Sequence, residues 1–327
     1  ADLTPRTVKA IDTSNFNSGS GVTVVTLDND TAYSVPASVL TQTYGPEILV
    51  LKLRSFTVPQ GTTLTVTGTR ALAIVSEFDI YIAGTIDLSG PAGGPGRVTT
   101  AGCVGTYASL ASGGGAFYAL GGSSSTSGAG GSGDFNMRIY MNPLGGGCAG
   151  GTGGLVSGGP AGGALQLATR TKVVLAPTAL IDVSGGGGRA TCSTAGCTSY
   201  RATGGGAGGG VLIEAPTITF DTGAIVAGRG GNGAASNSGT VGANGAAGTT
   251  IGASNAAAAT CASCGVGGIG GTETTLAGSA GTGTAPAIAG GGGGVGRCIT
   301  RTRTGSVLIP SGTMKIAHQA FALPPPD

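Results

Sequence analysis

The chain has 327 residues, 69 of them glycine, with 9% charged side chains, 4% aromatics and no Trp; glycine stands at roughly three times its usual share of about 7%. Such a composition excludes an ordinary globular core, and the formal net charge of +2 comes without a block of Lys or Arg, so neither nucleic acid nor an anionic membrane surface is indicated as a partner. No run is long and apolar enough for a transmembrane helix, while the mean hydropathy of +0.29 and the alternating β-branched repeats favour an ordered scaffold over disorder.

Residues 1–47 are richer in Asp, Asn and Thr than the rest of the chain, and carry one clear strand at 22–27 (VTVVTL), where Val22, Val24, Val25 and Leu27 are candidates for assembly. Two readings of this segment fit. It caps the edge of the adjoining sheet, or it is an arm that adds its strand to a neighbouring copy and links subunits head to tail. The start Ala-Asp-Leu, without Met, reads as a mature product whose leader has been removed, and so as a secreted chain.

Residues 48–317 contain a repeat. Residues 71–90 (ALAIVSEFDIYIAGTIDLSG) and 163–185 (GALQLATRTKVVLAPTALIDVSG) share a strand, a short polar corner, a second strand, and then Ile-Asp-apolar-Ser-Gly. Residues 210–228 repeat the order with Val226 read in place of the Asp, and residues 48–68 and 297–317 are looser copies. Apolar and polar side chains alternate in each, as in half-buried strands. Repeats of this kind predict an all-β fold, a parallel β-solenoid in which each coil covers the apolar face of its neighbour. Residues 318–327 read as a C-terminal tail.

Long glycine-rich inserts interrupt the repeat at about 91–160, 185–209 and 229–295. Glycine recurs at every third residue in Gly90, Gly93 and Gly96 and again in Gly265, Gly268 and Gly271. Three residues per turn is the period of an extended left-handed helix, so the inserts are either flexible loops or a packed layer of polyglycine II helices. Six of the seven cysteines lie in these inserts, where disulfides would fix shape that the core cannot. The expected pairs are Cys192 with Cys197, Cys261 with Cys264, and Cys103 with Cys148, leaving Cys298. Zinc binding by the four cysteines from 192 to 264 is the rival reading, weakened by a long central gap and the lack of a nearby His.

Candidates for chemistry are sparse, and no cofactor or metal is implied. The single His318 has no nucleophile signature beside it. Asp87 and Asp182 occupy the same place in two repeats, so they either stack to bind a cation or accept hydrogen bonds from turn amides. Gly228, Gly230 and Gly233 match a dinucleotide-binding spacing that chance supplies in so glycine-rich a chain, with no helix pattern after it. Arg301 and Arg303 alternate with threonines on a strand; they form either a solvated face or a site for an acidic glycan.

The repeats at 71 and 163, with the SGGGGRA and GGGAGGGVLIEAPTITF passages, resemble glycine-rich secreted β-solenoid surface proteins of myxobacterial type. The resemblance implies an extracellular, right-handed, β-helix-like solenoid and supplies no catalytic residues. The expectation is a non-enzymatic structural protein that assembles with itself into a fibre or surface layer. A glycan-binding adhesin, with extracellular polysaccharide as partner, is the alternative, ahead of a polysaccharide lyase or hydrolase.

Overall fold

The computed structural model describes residues 2–3, 8–26, 31–89, 93–99, 102–108, 110–132, 141–152, 156–192, 200–237, 264–284 and 287–323. The fold is all-β, with no helix among these residues. Its largest part is a 14-stranded, mostly parallel and nearly closed sheet, accompanied by a five-stranded parallel sheet and two small sheets in the glycine-rich inserts.

The repeats account for the parallel strands. Each repeat gives its first strand to a long ladder, built from Ile48–Leu53, Ala71–Ser76, Ala164–Thr169, Gly210–Glu214 and Arg297–Thr302. The second strands form a middle ladder, Ser55–Val58, Ile80–Ile82, Lys172–Leu175 and Thr217–Phe220. A short ladder comes next, of Thr63–Thr67, Thr85–Asp87, Leu180–Asp182, Ile225–Ala227 and Met314–Lys315. The corner between middle and short strands is a tight turn, closed by bonds such as Thr62 N–H to Pro59 O and Ala224 N–H to Asp221 O. Gly61, Gly223 and Gly312 take positive φ there, which a side chain would resist.

Register turns the alternation into a core. Leu49, Leu72, Leu165, Val211 and Cys298 lie opposite one another along the long ladder. Phe56, Ile80, Val173 and Ile218 do so along the middle ladder, and Leu64, Ile86, Ile181 and Val226 along the short one. All are buried in one hydrophobic cluster, each large apolar side chain contributing about 1.5–3 kcal/mol on burial. One expected alignment is corrected: Ala227, not Val226, lies opposite Asp182. Val226 faces the core because the alternation, rather than the Ile-Asp-Ser-Gly wording, sets which face each residue takes.

The N-terminal segment holds three longer strands, Ala10–Asn17, Val22–Thr26 and Ala32–Leu40, joined antiparallel. The first pairs with Thr63–Thr67 and the last with Ile48–Leu53, so they bridge the short and long ladders at one end. Ile11, Val25 and Val35 close the core there. Val22, Val24 and Val25 therefore sit in a strand bonded along both edges, which leaves them no edge for a neighbouring copy; Leu27 lies outside the described residues. The expected tail is also corrected, since Ala317–Ala322 forms a sixth long-ladder strand against Arg297–Thr302. Its sequence, AHQAFA, has little intrinsic strand preference, and the pairing supplies what the sequence does not.

The glycine-rich inserts form a bundle held by backbone bonds. Its centre is the run 290–296. Gly290, Gly293 and Gly296 donate to the segment around 228–234, Gly291 and Gly294 to that around 112–115, and Gly292 and Val295 to that around 276–279. In return the run accepts from Gly268 and Gly271, from Gly205 and Gly208, and from Gly122. The partners change with a three-residue period, and the run is bonded to six other segments of the bundle. A Cβ added at Gly290, Gly291, Gly292, Gly293 or Gly294 would collide with a carbonyl of a neighbouring segment, so the close approach needs glycine throughout.

Candidate functional site

The end of the ladder stack opposite the N-terminal bridge has a distinct edge. Ala317–Ala322 is in register with all six residues of Arg297–Thr302 on one side and is paired with no other strand among the described residues. The edge carries no charged residue and no proline, the usual guards of an open strand. His318 continues the core column beyond Cys298, with its Nε2 3.0 Å from Thr300 Oγ1. Burial, helped by the nearby Arg297 charge, lowers the His318 pKa to about 4. Arg297 is itself buried, 4.2 Å from the Tyr118 ring centroid and hydrogen-bonded to Gln319.

Cys298, adjacent to His318 in register, is a buried free thiol. Burial pushes its pKa up to about 12, against a lesser opposing effect of Arg297. A neutral thiol beside a neutral imidazole is no activated nucleophile near neutral pH. Cys298 closes the core column of the long ladder instead, and the half-buried His318 covers it.

Asp87 and Asp182 are brought side by side in the short ladder. Each accepts a 2.9 Å hydrogen bond from the amide two residues on, that of Ser89 or Ser184, and Asp87 also accepts one from the Ser89 hydroxyl at 2.6 Å. Burial raises the pKa of Asp182; hydrogen bonds from Ser184 work against this, and the Asp87 charge adds to it. The carboxylates thus close the turns from which the glycine inserts depart. Among the described residues no group of three or more His, Cys, Asp or Glu is placed to hold a metal.

Cys103 and Cys148 form a disulfide with their Cα atoms 5.7 Å apart, and Cys264 is also disulfide-bonded. The other expected pairs, and the zinc alternative, involve Cys197 and Cys261, which lie outside the described residues. Gly228, Gly230 and Gly233 belong to the backbone-bonded bundle. Arg301 is ion-paired with Glu214 at 2.7 Å, whereas Arg303 is exposed in the turn after its strand.

Sequence reasoning missed the largest buried polar group. Arg229 is 2% exposed and donates to both carboxylate oxygens of Glu273, at 3.1 and 2.8 Å, with Lys315 Nζ 3.6 Å away. Burial works to raise the Glu273 pKa, but the hydrogen bonds and the two cations outweigh it and hold the carboxyl below its usual value. The cluster ties a glycine insert to the last short-ladder strand. Forty-four residues separate Arg229 from Glu273, and no local pattern signals that contact. No family model matches the sequence, and neither a curated protein nor a solved structure is detectably similar to it.

Proposed function

We propose that the chain is an extracellular structural subunit: a parallel β-solenoid, braced by polyglycine II helices, that associates with further copies into a fibre or surface layer. The observation that carries this reading is the edge strand Ala317–Ala322, bonded along one side and, among the described residues, paired with no strand along the other. Such an edge is a template for another strand. The opposite end of the ladders is bridged by the chain's own antiparallel strands, so the N-terminal segment serves as the cap.

Other features support the parts of this reading. The first four repeats each add one strand to each ladder, and the fifth adds one to the long and one to the short ladder, as a stack that grows by repetition requires. The three-residue period of partners around the run 290–296 is the repeat of the polyglycine II helix. The Cys103–Cys148 disulfide suits an oxidising, extracellular compartment, as does the resemblance to secreted surface proteins.

Negative-stain electron microscopy and light scattering of the full chain test the proposal, beside Ala322→Lys, which places a charge on the open edge. Fibres or layers that are lost in the variant are expected. Monodisperse particles from the unmodified chain at every concentration overturn the reading.

A further inference from the structure

The loop 41–47, which joins Ala32–Leu40 to Ile48–Leu53 at the bridged end of the stack, displays an aromatic ring. In a chain with 4% aromatics and no Trp, Tyr44 is 69% exposed, more than any other aromatic side chain among the described residues. It lines two hollows, of about 400 and 430 Å³, and so stands between them. Both fall in the range of small-ligand sites, about 300–1,000 Å³. Arg97 and Thr99 line the first, and Thr41, Thr43 and Asn142 the second.

The backbone that carries these groups is fixed. The Gln42 amide donates to Pro46 O at 2.5 Å and to Leu144 O at 2.7 Å, and accepts from Leu144 N–H at 2.7 Å, which pins the loop to the first glycine insert. Gly96 N–H donates to Thr69 O and Val98 N–H to Gly147 O, so the residues on both sides of Arg97 are held. The Arg97 stem lies over Gly93, whose φ is +98° and where a Cβ would come within 2.8 Å of Arg97 Cδ. Glu47, the acid of this loop, is taken up by Arg70 at 2.7 Å. Among the described residues no carboxylate lines either hollow, and neither Tyr44 nor Arg97 has a hydrogen-bond or ion-pair partner. The chain thus holds a ring and a guanidinium in place, an arrangement that lowers the cost of binding.

We propose that Tyr44 and Arg97 bind a uronic acid unit of an acidic glycan. The C–H face of the pyranose packs on the Tyr44 ring, whose electron-rich face attracts those hydrogens. The Arg97 fork holds the carboxylate of the same unit. Thr41, Thr43, Thr99 and Asn142, all exposed, exchange hydrogen bonds with the hydroxyls of that unit and of the next one, across the ring. A nucleic acid also offers flat rings and negative charge, but a row of phosphates calls for several cations, and among the described residues Arg97 is the one cation that lines the hollows. The site lies at the end of the stack away from the open edge, so its test is separate from that of self-assembly.

The full chain is titrated with trimers of galacturonate, glucuronate and mannuronate, with the methyl esters of these trimers, and with a single-stranded oligothymidylate. Binding is read by calorimetry and by saturation-transfer NMR, which detects weak complexes. Expected is binding of at least one uronate trimer, with a loss of about tenfold or more in Tyr44→Ala and in Arg97→Gln. Tyr44→Phe should keep it, and so should Tyr81→Ala, which removes an exposed ring elsewhere on the surface. The methyl ester should bind the unmodified chain about tenfold more weakly than the acid, and bind Arg97→Gln as well as the acid does. Thermal melts confirm that each variant folds. Binding of none of the three uronates overturns the proposal, as does binding that Tyr44→Ala retains. An ester held by the unmodified chain as tightly as its acid overturns the role of Arg97, and an equal hold on the oligothymidylate overturns the ligand class.

Discussion

The ladder stack and the glycine bundle solve the same problem by opposite means. In the stack, apolar side chains such as Leu72, Leu165 and Val211 meet in columns, and burial of side-chain area holds the repeats together. In the bundle few large side chains are buried, Phe117, Ile288 and Val295 among them, and most of the contact surface is the peptide groups themselves, with Gly292 donating to Ser279 O and accepting from Gly122. The stack therefore tolerates a change of apolar residue and resists its loss, whereas the bundle tolerates no added atom at its centre. An interior can be made of backbone alone, provided every amide finds a carbonyl.

Substitutions can break that contrast. Gly292→Val should be the most damaging single change, costing more than about 4 kcal/mol in urea unfolding, because the neighbouring carbonyls cannot move aside. An equal tolerance of valine at Gly292 and at Ala73 would erase the distinction. Removing the Cys103–Cys148 bond, whose sequence separation is 45 residues, should cost about 4 kcal/mol by loop entropy and should loosen the inserts before the ladders, as read by hydrogen exchange. Leu165→Ala should cost about 3 kcal/mol and act on the ladders first.

Two milder changes concern the joints between the regions. Glu273→Gln should cost roughly 1–3 kcal/mol and remove part of the acid sensitivity. The folded-state pKa of Glu273 lies below its ordinary value, so its contribution is present above the unfolded carboxylate range of about 4.3 and is lost as pH falls through the folded value. His318 sets a smaller effect. Its pKa drops from 6.5 to about 4 in the fold, so stability is full above pH 6.5 and declines as pH falls toward 4. Melting temperatures between those limits should fall less steeply in His318→Gln.

The two regions also differed in how far the sequence revealed them. Alternation located the strands of the ladders, since the residues that face the core announce themselves every second position. It failed where wording replaced period, at Val226 and Ala227, and where a strand owes its existence to its neighbour, at Ala317–Ala322. The three-residue glycine period hinted at the bundle, as in Gly268 and Gly271, which both donate to the run 290–296. Which segments adjoin which was not legible, because identical glycines carry no label of partner. The open edge was likewise hidden until register aligned residues from separate repeats.

The position of the run 290–296 at the centre of the bundle has a bearing on the order of folding. All six bundle segments bonded to it precede it in the chain. A chain emerging N-terminus first can stack four repeats while the middle of its glycine bundle is still unmade. The run 290–296 is synthesised after every bundle segment it bonds to, so it enters a channel whose walls already exist, and Arg297–Thr302 and Ala317–Ala322 follow it to extend the long ladder.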